Sequence, residues 1–287
     1  MADTVTVSQL WSQTTEVLGD RVQARWLCEV ACALDAEEFI SASSELVTER
    51  MVAHLDAMVA RVRTGEPIQY VCGRWAFRYL DLAVDPRVLI PRPETEYVAE
   101  YAIDWARRRH SERGRVTVVD LGTGSGAIGL SLARELPLDG VAIWCSDVDA
   151  AALDVARANL AGLGRFGRNV QIVQGSWWEA LPAGLKVDLV VSNPPYIAES
   201  DPEVAASVLE WEPAHALFAG SDGLDAIRRI VDGAHKRVEA DGMIVLEIGH
   251  TQAHAVRVLL EHSGWSEVEI RRDLAGRDRI AVGHGLR

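Results

Sequence analysis

The strongest constraint on the fold is the rhythm of the chain from residue 115 onward, where short apolar runs alternate with amphipathic stretches and the first run empties into glycine. Val116-Thr117-Val118-Val119-Asp120 reads as a buried strand and leads directly into Leu121-Gly122-Thr123-Gly124-Ser125-Gly126-Ala127-Ile128-Gly129. The pattern predicts strands near 116–120, 141–146, 170–173, 187–192, 242–248, 267–271 and 279–283. Helices are expected near 125–135, 149–161, 222–239 and 251–261. Strands alternating with helices at this spacing define an α/β architecture: a doubly wound, mostly parallel, seven-stranded sheet.

The first third of the chain has a different texture. Trp11, Val17, Leu18, Val22, Trp26 and Val30 recur at helical spacing, so residues 1–66 are expected to form a small N-terminal helical domain. Ser41-Ala-Ser-Ser-Glu45 looks like the capped start of a helix running through Met51, Leu55 and Val59. Between residues 67 and 93 the side chains Tyr70, Val71, Trp75, Phe77, Leu80, Leu82 and Val88-Leu89-Ile90, broken by Gly73 and Asp85-Pro86, read as a β-hairpin linker. Residues 94–287 then carry the sheet. Pro93 suits a first helical position, and Glu94 and Glu96 a first turn.

Charge narrows the partners. The net charge is −13, and residues 1–60 alone hold ten acids against Arg21, Arg25 and Arg50. Such a surface repels a phosphate backbone, and the basic pieces Arg107-Arg108-Arg109 and Arg271-Arg272 are short. Direct nucleic-acid binding is therefore not expected. The longest stretch without a charge, Leu121 to Ala133, is 13 residues, too short to span a bilayer. Met1-Ala2-Asp3-Thr4 opens without a secretory pattern. Cys28, Cys32, Cys72 and Cys145 form no CxxC pair. A cytoplasmic protein without membrane association is expected, with monomer as the default state.

The glycine loop is where such sheets hold nucleotide-like cofactors, because glycine lets backbone approach the ligand. Asp147, ending the next strand, can accept hydrogen bonds from ribose hydroxyls. The loop by itself leaves the cofactor open: Gly124, Gly126 and Gly129 satisfy the dinucleotide pattern, whereas Gly122-Thr123-Gly124-Ser125-Gly126 also fits S-adenosylmethionine.

A second motif narrows the chemistry. The apolar run Val187 to Ser192 delivers Asn193-Pro194-Pro195-Tyr196 at its C-terminal end, where open α/β sheets keep their sites. A planar –NH₂ nitrogen is a poor nucleophile because its lone pair is delocalised. Two acceptors that hold its hydrogens orient the lone pair and support developing positive charge. Asn193 offers a side-chain carbonyl and Pro194 a backbone carbonyl. The two prolines stiffen the turn, so the acceptors are preorganised. Tyr196 can lie against the flat face of the substrate group.

Asn193-Pro-Pro-Tyr196 resembles the amino-group methyltransferases. Pro67-Ile-Gln-Tyr70, Leu89-Ile-Pro-Arg-Pro-Glu-Thr-Glu96, Asp120-Leu-Gly-Thr-Gly-Ser-Gly-Ala-Ile128, Val191-Ser-Asn-Pro-Pro-Tyr-Ile197, Gly220-Ser-Asp-Gly-Leu-Asp225 and Leu246-Glu-Ile-Gly249 narrow the likeness to the HemK/PrmC family, the peptide chain release factor N5-glutamine methyltransferases. The resemblance covers roughly residues 65–285. It implies a class I S-adenosylmethionine methyltransferase fold and methylation of the glutamine side chain in the Gly-Gly-Gln loop of release factors. It also implies that Gly122, Thr123, Gly124, Ser125, Gly126 and Asp147 hold the cofactor. Asn193, Pro194, Pro195 and Tyr196 would hold the glutamine, with Asn193 also beside the cofactor. An acidic-aromatic pair near the adenine is usual in the family; here it reads Ser176-Trp177, so the resemblance implies that role for Trp177 and the acid is missing. Leu89 to Glu96 corresponds to a segment that closes over the site.

Other readings of the same residues are a glutamine methyltransferase of a ribosomal protein, an adenine amino-methyltransferase on nucleic acid, a catalytically silent binding module, or a NAD dehydrogenase. His250 and His254 are one helical turn apart but lack a third ligand, so no metal site is expected. Ser125 and Ser192 lack a nucleophile-elbow context.

Overall fold

The computed structural model describes residues 5–202 and 204–287; the opening Met1-Ala2-Asp3-Thr4, and what was expected of it, lies outside them. The chain divides into two compact units, the first ending at Arg74 and the second comprising Trp75–Arg287.

The first unit is helical: α1 (Val7–Leu18), α2 (Arg21–Cys32), α3 (Ala36–Ser41), α4 (Glu49–Arg63) and α5 (Ile68–Cys72). Thr6, Asp20, Asp35 and Thr48 cap the first four, each side chain accepting an otherwise orphaned amide of the first turn. Leu10, Leu27, Cys28, Phe39, Leu55, Met58 and Ile68 form its core. This unit departs from the sequence expectation at two points. The cap of α4 is Thr48, whose hydroxyl accepts from the Met51 amide at 3.3 Å, not the Ser41–Glu45 stretch. Tyr70 and Val71 are helical rather than extended, because Gly73 at φ 70° closes a short helix behind them.

A small hairpin follows, β1 (Arg74–Phe77) and β2 (Leu80–Ala83), all of it but Arg74 in the second unit. Val88-Leu89-Ile90 is loop rather than strand. There follow α6 (Pro93–Arg113), β3 (Val116–Leu121), α7 (Ala127–Glu135), β4 (Val141–Asp147), α8 (Ala150–Gly162), β5 (Val170–Gln174), β6 (Val187–Ser192), α9 (Ala206–Trp211), α10 (Asp225–Arg237), β7 (Val238–Glu247), α11 (Ala253–His262), β8 (Trp265–Arg272) and β9 (Asp278–Leu286). The seven-stranded sheet has the order β5-β4-β3-β6-β7-β9-β8. Its first five strands are parallel and β9 is antiparallel to both neighbours. The doubly wound, mostly parallel sheet expected from the sequence is present.

Strand alternation sorts side chains between the two faces. Val119 and Leu121 of β3, Val190 of β6, and Ile244 and Leu246 of β7 share a core with Ile227, Ile230 and Val231 of α10 and with Val256 and Leu260 of α11. The intervening residues point the other way. Among them are Asp120 at the end of β3 and Glu247 at the end of β7, which meet α7 and α6 respectively through Gly129 and Thr95. Helix α6 buries Val98, Ala99, Ala102, Ile103 and Ala106, a mostly small-residue stripe. Pro93 opens it and Gly114 at φ 69° closes it. Among the described residues, no helix is long and apolar enough to cross a membrane.

Candidate active site

The switch point of the sheet lies between β3 and β6, the strands after which the connections turn to opposite sides. Both strands end there in the two motifs. After β3, the amides of Gly122 and Thr123 both donate to the Ser146 carbonyl of β4, at 2.8 and 2.9 Å. Gly124 N donates to Asp147 Oδ2 at 2.9 Å, so Asp147 holds the loop as well as facing the cavity. Gly126, at φ 88°, starts α7.

Two glycines, Gly122 in the loop and Gly129 in α7, stand where a side chain would collide. Gly122 has φ 72°, and a Cβ there would stand 3.3 Å from Cζ3 of Trp177, whose ring packs on this backbone. A Cβ on Gly129 would sit 2.3 Å from Cys145 Sγ and 3.1 Å from Asp120 Oδ2. Helix α7 therefore lies as close to the sheet as backbone permits. That approach lets Gly129 N donate to Asp120 Oδ2 at 2.9 Å, while Thr123 Oγ1 donates to the same oxygen at 2.6 Å. Asp120 Oδ1 is buried without a donor among the described residues. Burial pushes the Asp120 carboxyl up to about 6, the two hydrogen bonds opposing it.

A cavity of about 390 Å³ opens over this loop. Its wall brings together Gly122, Thr123, Gly124, Ser125, Asp147, Trp177, Asn193 and Pro195 of the predicted site residues, and adds Asp120 and Thr95. Trp177 holds φ 46°, a left-handed conformation uncommon for a bulky residue. Ser176 also lines the cavity. Gly126 is not in the wall; its part is to turn the chain into α7.

A second cavity, about 230 Å³, lies on the other side of Asn193. Asn193, Pro194, Tyr196, Leu89, Arg92 and Ile197 line it with apolar residues from Val204 to Leu217. Asn193 is thus common to both cavities, and Pro194 and Tyr196 face only the second. The corner is pinned from several directions. Ser192 Oγ donates to the Leu121 carbonyl at 2.5 Å. Gln252 Nε2 donates to the Tyr196 carbonyl at 2.8 Å. The backbone of Ile197 exchanges hydrogen bonds with Leu217 and Ala219. Buried Glu212 accepts from Ile90 N at 3.1 Å and pairs with Arg92, fixing the Leu89–Arg92 segment at the cavity mouth.

Behind the corner lies a buried polar group the motifs did not assign. Asn193 Nδ2 donates to Thr95 Oγ1 at 3.1 Å, and Thr95 Oγ1 donates to Glu247 Oε2 at 2.6 Å. Tyr196 Oη donates to Glu247 Oε1 at 3.2 Å, and Arg279 reaches Tyr196 Oη at 3.4 Å. Burial raises the Glu247 carboxyl. Burial, then the adjacent Glu247 charge, pushes the Tyr196 phenol up. Thr95 and Glu247 both lie inside segments that carry the family resemblance, and that was the available signal. Among the described residues, no group of three or more His, Cys, Asp or Glu side chains is placed to hold a metal ion.

A seven-stranded, mostly parallel sheet closed by an antiparallel β9, with a glycine loop at the end of β3, is the class I methyltransferase fold. Residues 109–220 match the methyltransferase small domain and residues 11–73 the PrmC N-terminal domain. The chain is 42% identical over 267 residues to the release factor glutamine methyltransferase of Burkholderia pseudomallei, covering 92% of each protein. It is also 42% identical to that of Bordetella pertussis, covering 92% of this chain and 94% of the other. Among solved structures, the human METTL16 catalytic domain in complex with an RNA hairpin shares the fold, at TM-score 0.53 and 15% identity over 84% of each chain. The chain belongs to the release factor glutamine methyltransferase family.

Proposed function

We propose that this protein methylates the side-chain amide of the glutamine in the Gly-Gly-Gln loop of peptide chain release factors, with S-adenosylmethionine as methyl donor. The observation that carries the reading is the place of Asn193 on the wall common to both cavities. A cofactor in the larger cavity and a glutamine side chain in the smaller would meet at this residue. The larger cavity suits the cofactor on its own chemistry. Asp120 Oδ1 is a buried oxygen without a hydrogen-bond partner among the described residues and suits a cationic donor, the Trp177 ring offers a face for a heterocycle, and Asp147 offers carboxylate oxygens to hydroxyls. Gly124 leaves open space where a side chain would otherwise stand. When bound, S-adenosylmethionine supplies an electrophilic methyl group.

The protein's own task is to make an amide nitrogen nucleophilic. The Asn193 carbonyl and the Pro194 carbonyl each take one N–H of the glutamine, turning the lone pair toward the cofactor cavity. Proline stiffens the backbone that carries the Pro194 carbonyl and the Asn193 side chain, so little backbone reorganisation accompanies the charge that develops on nitrogen. Exclusion of water by Leu89, Pro195 and the Tyr196 ring strengthens those hydrogen bonds. The surplus proton leaves to solvent after transfer, and no charged base is needed beforehand. We assign recognition of the rest of the release factor to the N-terminal helical unit, because a methyl-transfer sheet does not require it.

Mass spectrometry of a release factor before and after incubation tests the reading, the expected product being one methyl group heavier at the glutamine. Asn193→Ala should keep cofactor affinity and lower transfer by about 10²- to 10³-fold. Label entering only nucleic acid or only a ribosomal protein would overturn the assignment of substrate.

A further inference from the structure

Asn193 has two ends, an acceptor and a donor pair of nearly equal size. If its NH₂ faced the substrate, donor would meet donor and the glutamine amide would be repelled. The reaction therefore needs something that fixes which end points outward. Neither proline can do so, because they constrain the backbone and leave the terminal amide free to turn about its last side-chain bond.

The buried group behind the corner has the required asymmetry. Glu247 is 1% exposed, and an ionised carboxylate only accepts. Its Oε2 lies 2.6 Å from Thr95 Oγ1, within the range of charge-assisted O–H···O⁻ bonds. The Thr95 proton is thereby committed to Glu247. Thr95 Oγ1 can then only accept from its other neighbour, which must be an N–H of Asn193, seen at 3.1 Å. The second oxygen of Glu247 is committed in the same sense. Arg279 donates to Tyr196 Oη, so the Tyr196 proton goes to Glu247 Oε1. Every link runs toward the carboxylate. The Arg279 charge supports ionisation of Glu247 against burial, with Glu94 the opposing charge.

We propose that Thr95 and Glu247 are positioning residues whose one-way hydrogen-bond chain sets the Asn193 carbonyl toward the substrate amide. The inference rests on the amide-clamp reading above. It adds that the clamp works only while the chain behind it keeps its direction. Thr95→Val preserves shape and removes the acceptor that holds the Asn193 NH₂. Glu247→Gln preserves shape and offers one acceptor and one donor where two acceptors are needed.

The test is kinetic and spectroscopic. Because the lost interaction matters most as charge develops on nitrogen, Thr95→Val should lower kcat by about 10- to 100-fold and leave KM for release factor within about threefold. Cofactor affinity should stay near wild type, and Thr95→Ser, which restores the hydroxyl, should recover most of kcat. A general loss of packing would instead weaken cofactor affinity and would not be rescued by serine. In the free protein, ¹⁵N-labelled Asn193 should show one slowly exchanging side-chain N–H in the wild type and in Thr95→Ser, lost in Thr95→Val. Wild-type kcat in Thr95→Val, or unchanged exchange at Asn193, would overturn the proposal. If the wild type failed to methylate release factor, the substrate reading would fall, and the exchange measurement would still decide the chain.

Discussion

Acidification should act on this protein through Asp120 in two opposed ways, one on stability and one on cofactor binding. In the folded protein the Asp120 carboxyl is pushed from 3.8 up to about 6 by complete burial. Between those values the folded chain holds a proton that the unfolded chain has released. Stability therefore falls as pH rises from about 4 to 6 and levels off above, the full effect of two pH units being about 3 kcal/mol. Asp120 is fully buried, so solvent screening does not reduce this amount. Binding runs the other way. A cationic cofactor group at the orphaned Oδ1 needs the carboxylate, so on going from pH 7 to pH 5 the free protein becomes mostly protonated and affinity should weaken by about tenfold, or 1.4 kcal/mol. Asp241 and Asp85, held below the usual carboxylate range chiefly by hydrogen bonds from Arg109 and Arg87, lose stabilising charge at still lower pH. The comparison must therefore be with Asp120→Asn, which keeps an acceptor for Thr123 and Gly129 but cannot titrate. Calorimetric binding of S-adenosylmethionine at pH 5, 6 and 7, together with chemical unfolding of the cofactor-free protein, separates the two effects. The same pH dependence for wild type and Asp120→Asn in both measurements would refute a titrating role for Asp120.

Three further outcomes are expected. Gly129→Ala places a Cβ 2.3 Å from Cys145 Sγ and should cost about 1–3 kcal/mol by forcing α7 off the sheet; combining it with Cys145→Ala should recover most of the loss in a denaturant titration. Arg109→Met strips the partner from buried Asp188, now 2.9 Å away, and should destabilise by about 3–5 kcal/mol, while specific activity of the folded fraction is unchanged because no residue of this pair lines either cavity. Removal of residues 1–60 should leave S-adenosylmethionine affinity within about twofold and weaken release factor binding; equal release factor affinity in the shortened chain would refute a recognition role for these helices.

The errors of sequence reading were local and have local causes. Tyr70 and Val71 favour strands by residue type, yet five residues are too few for periodicity to decide, and Gly73 closes a helical turn instead. Ser41–Glu45 carried the composition of a helix cap, but Thr48 stands immediately before the helix and accepts the Met51 amide. Trp177 was legible as an aromatic after the third strand of the sheet. Its left-handed backbone and its packing on Gly122 were not, because both depend on a loop that arrives from β3.

The sheet, its glycine turn and the Asn-Pro-Pro-Tyr corner are legible in the sequence. These depend on short-range physics: apolar runs that bury themselves as strands, glycines where backbone must turn or approach, and prolines that stiffen the residues beside them. The direction in which Asn193 is held depends instead on contacts between distant parts of the chain. Thr95 lies 98 positions from Asn193 and 152 from Glu247, and no local pattern encodes a partner at that distance. Strand alternation puts Glu247 on the α6 face of β7, but the meeting with Thr95 exists only once helix α6 is laid across the folded sheet.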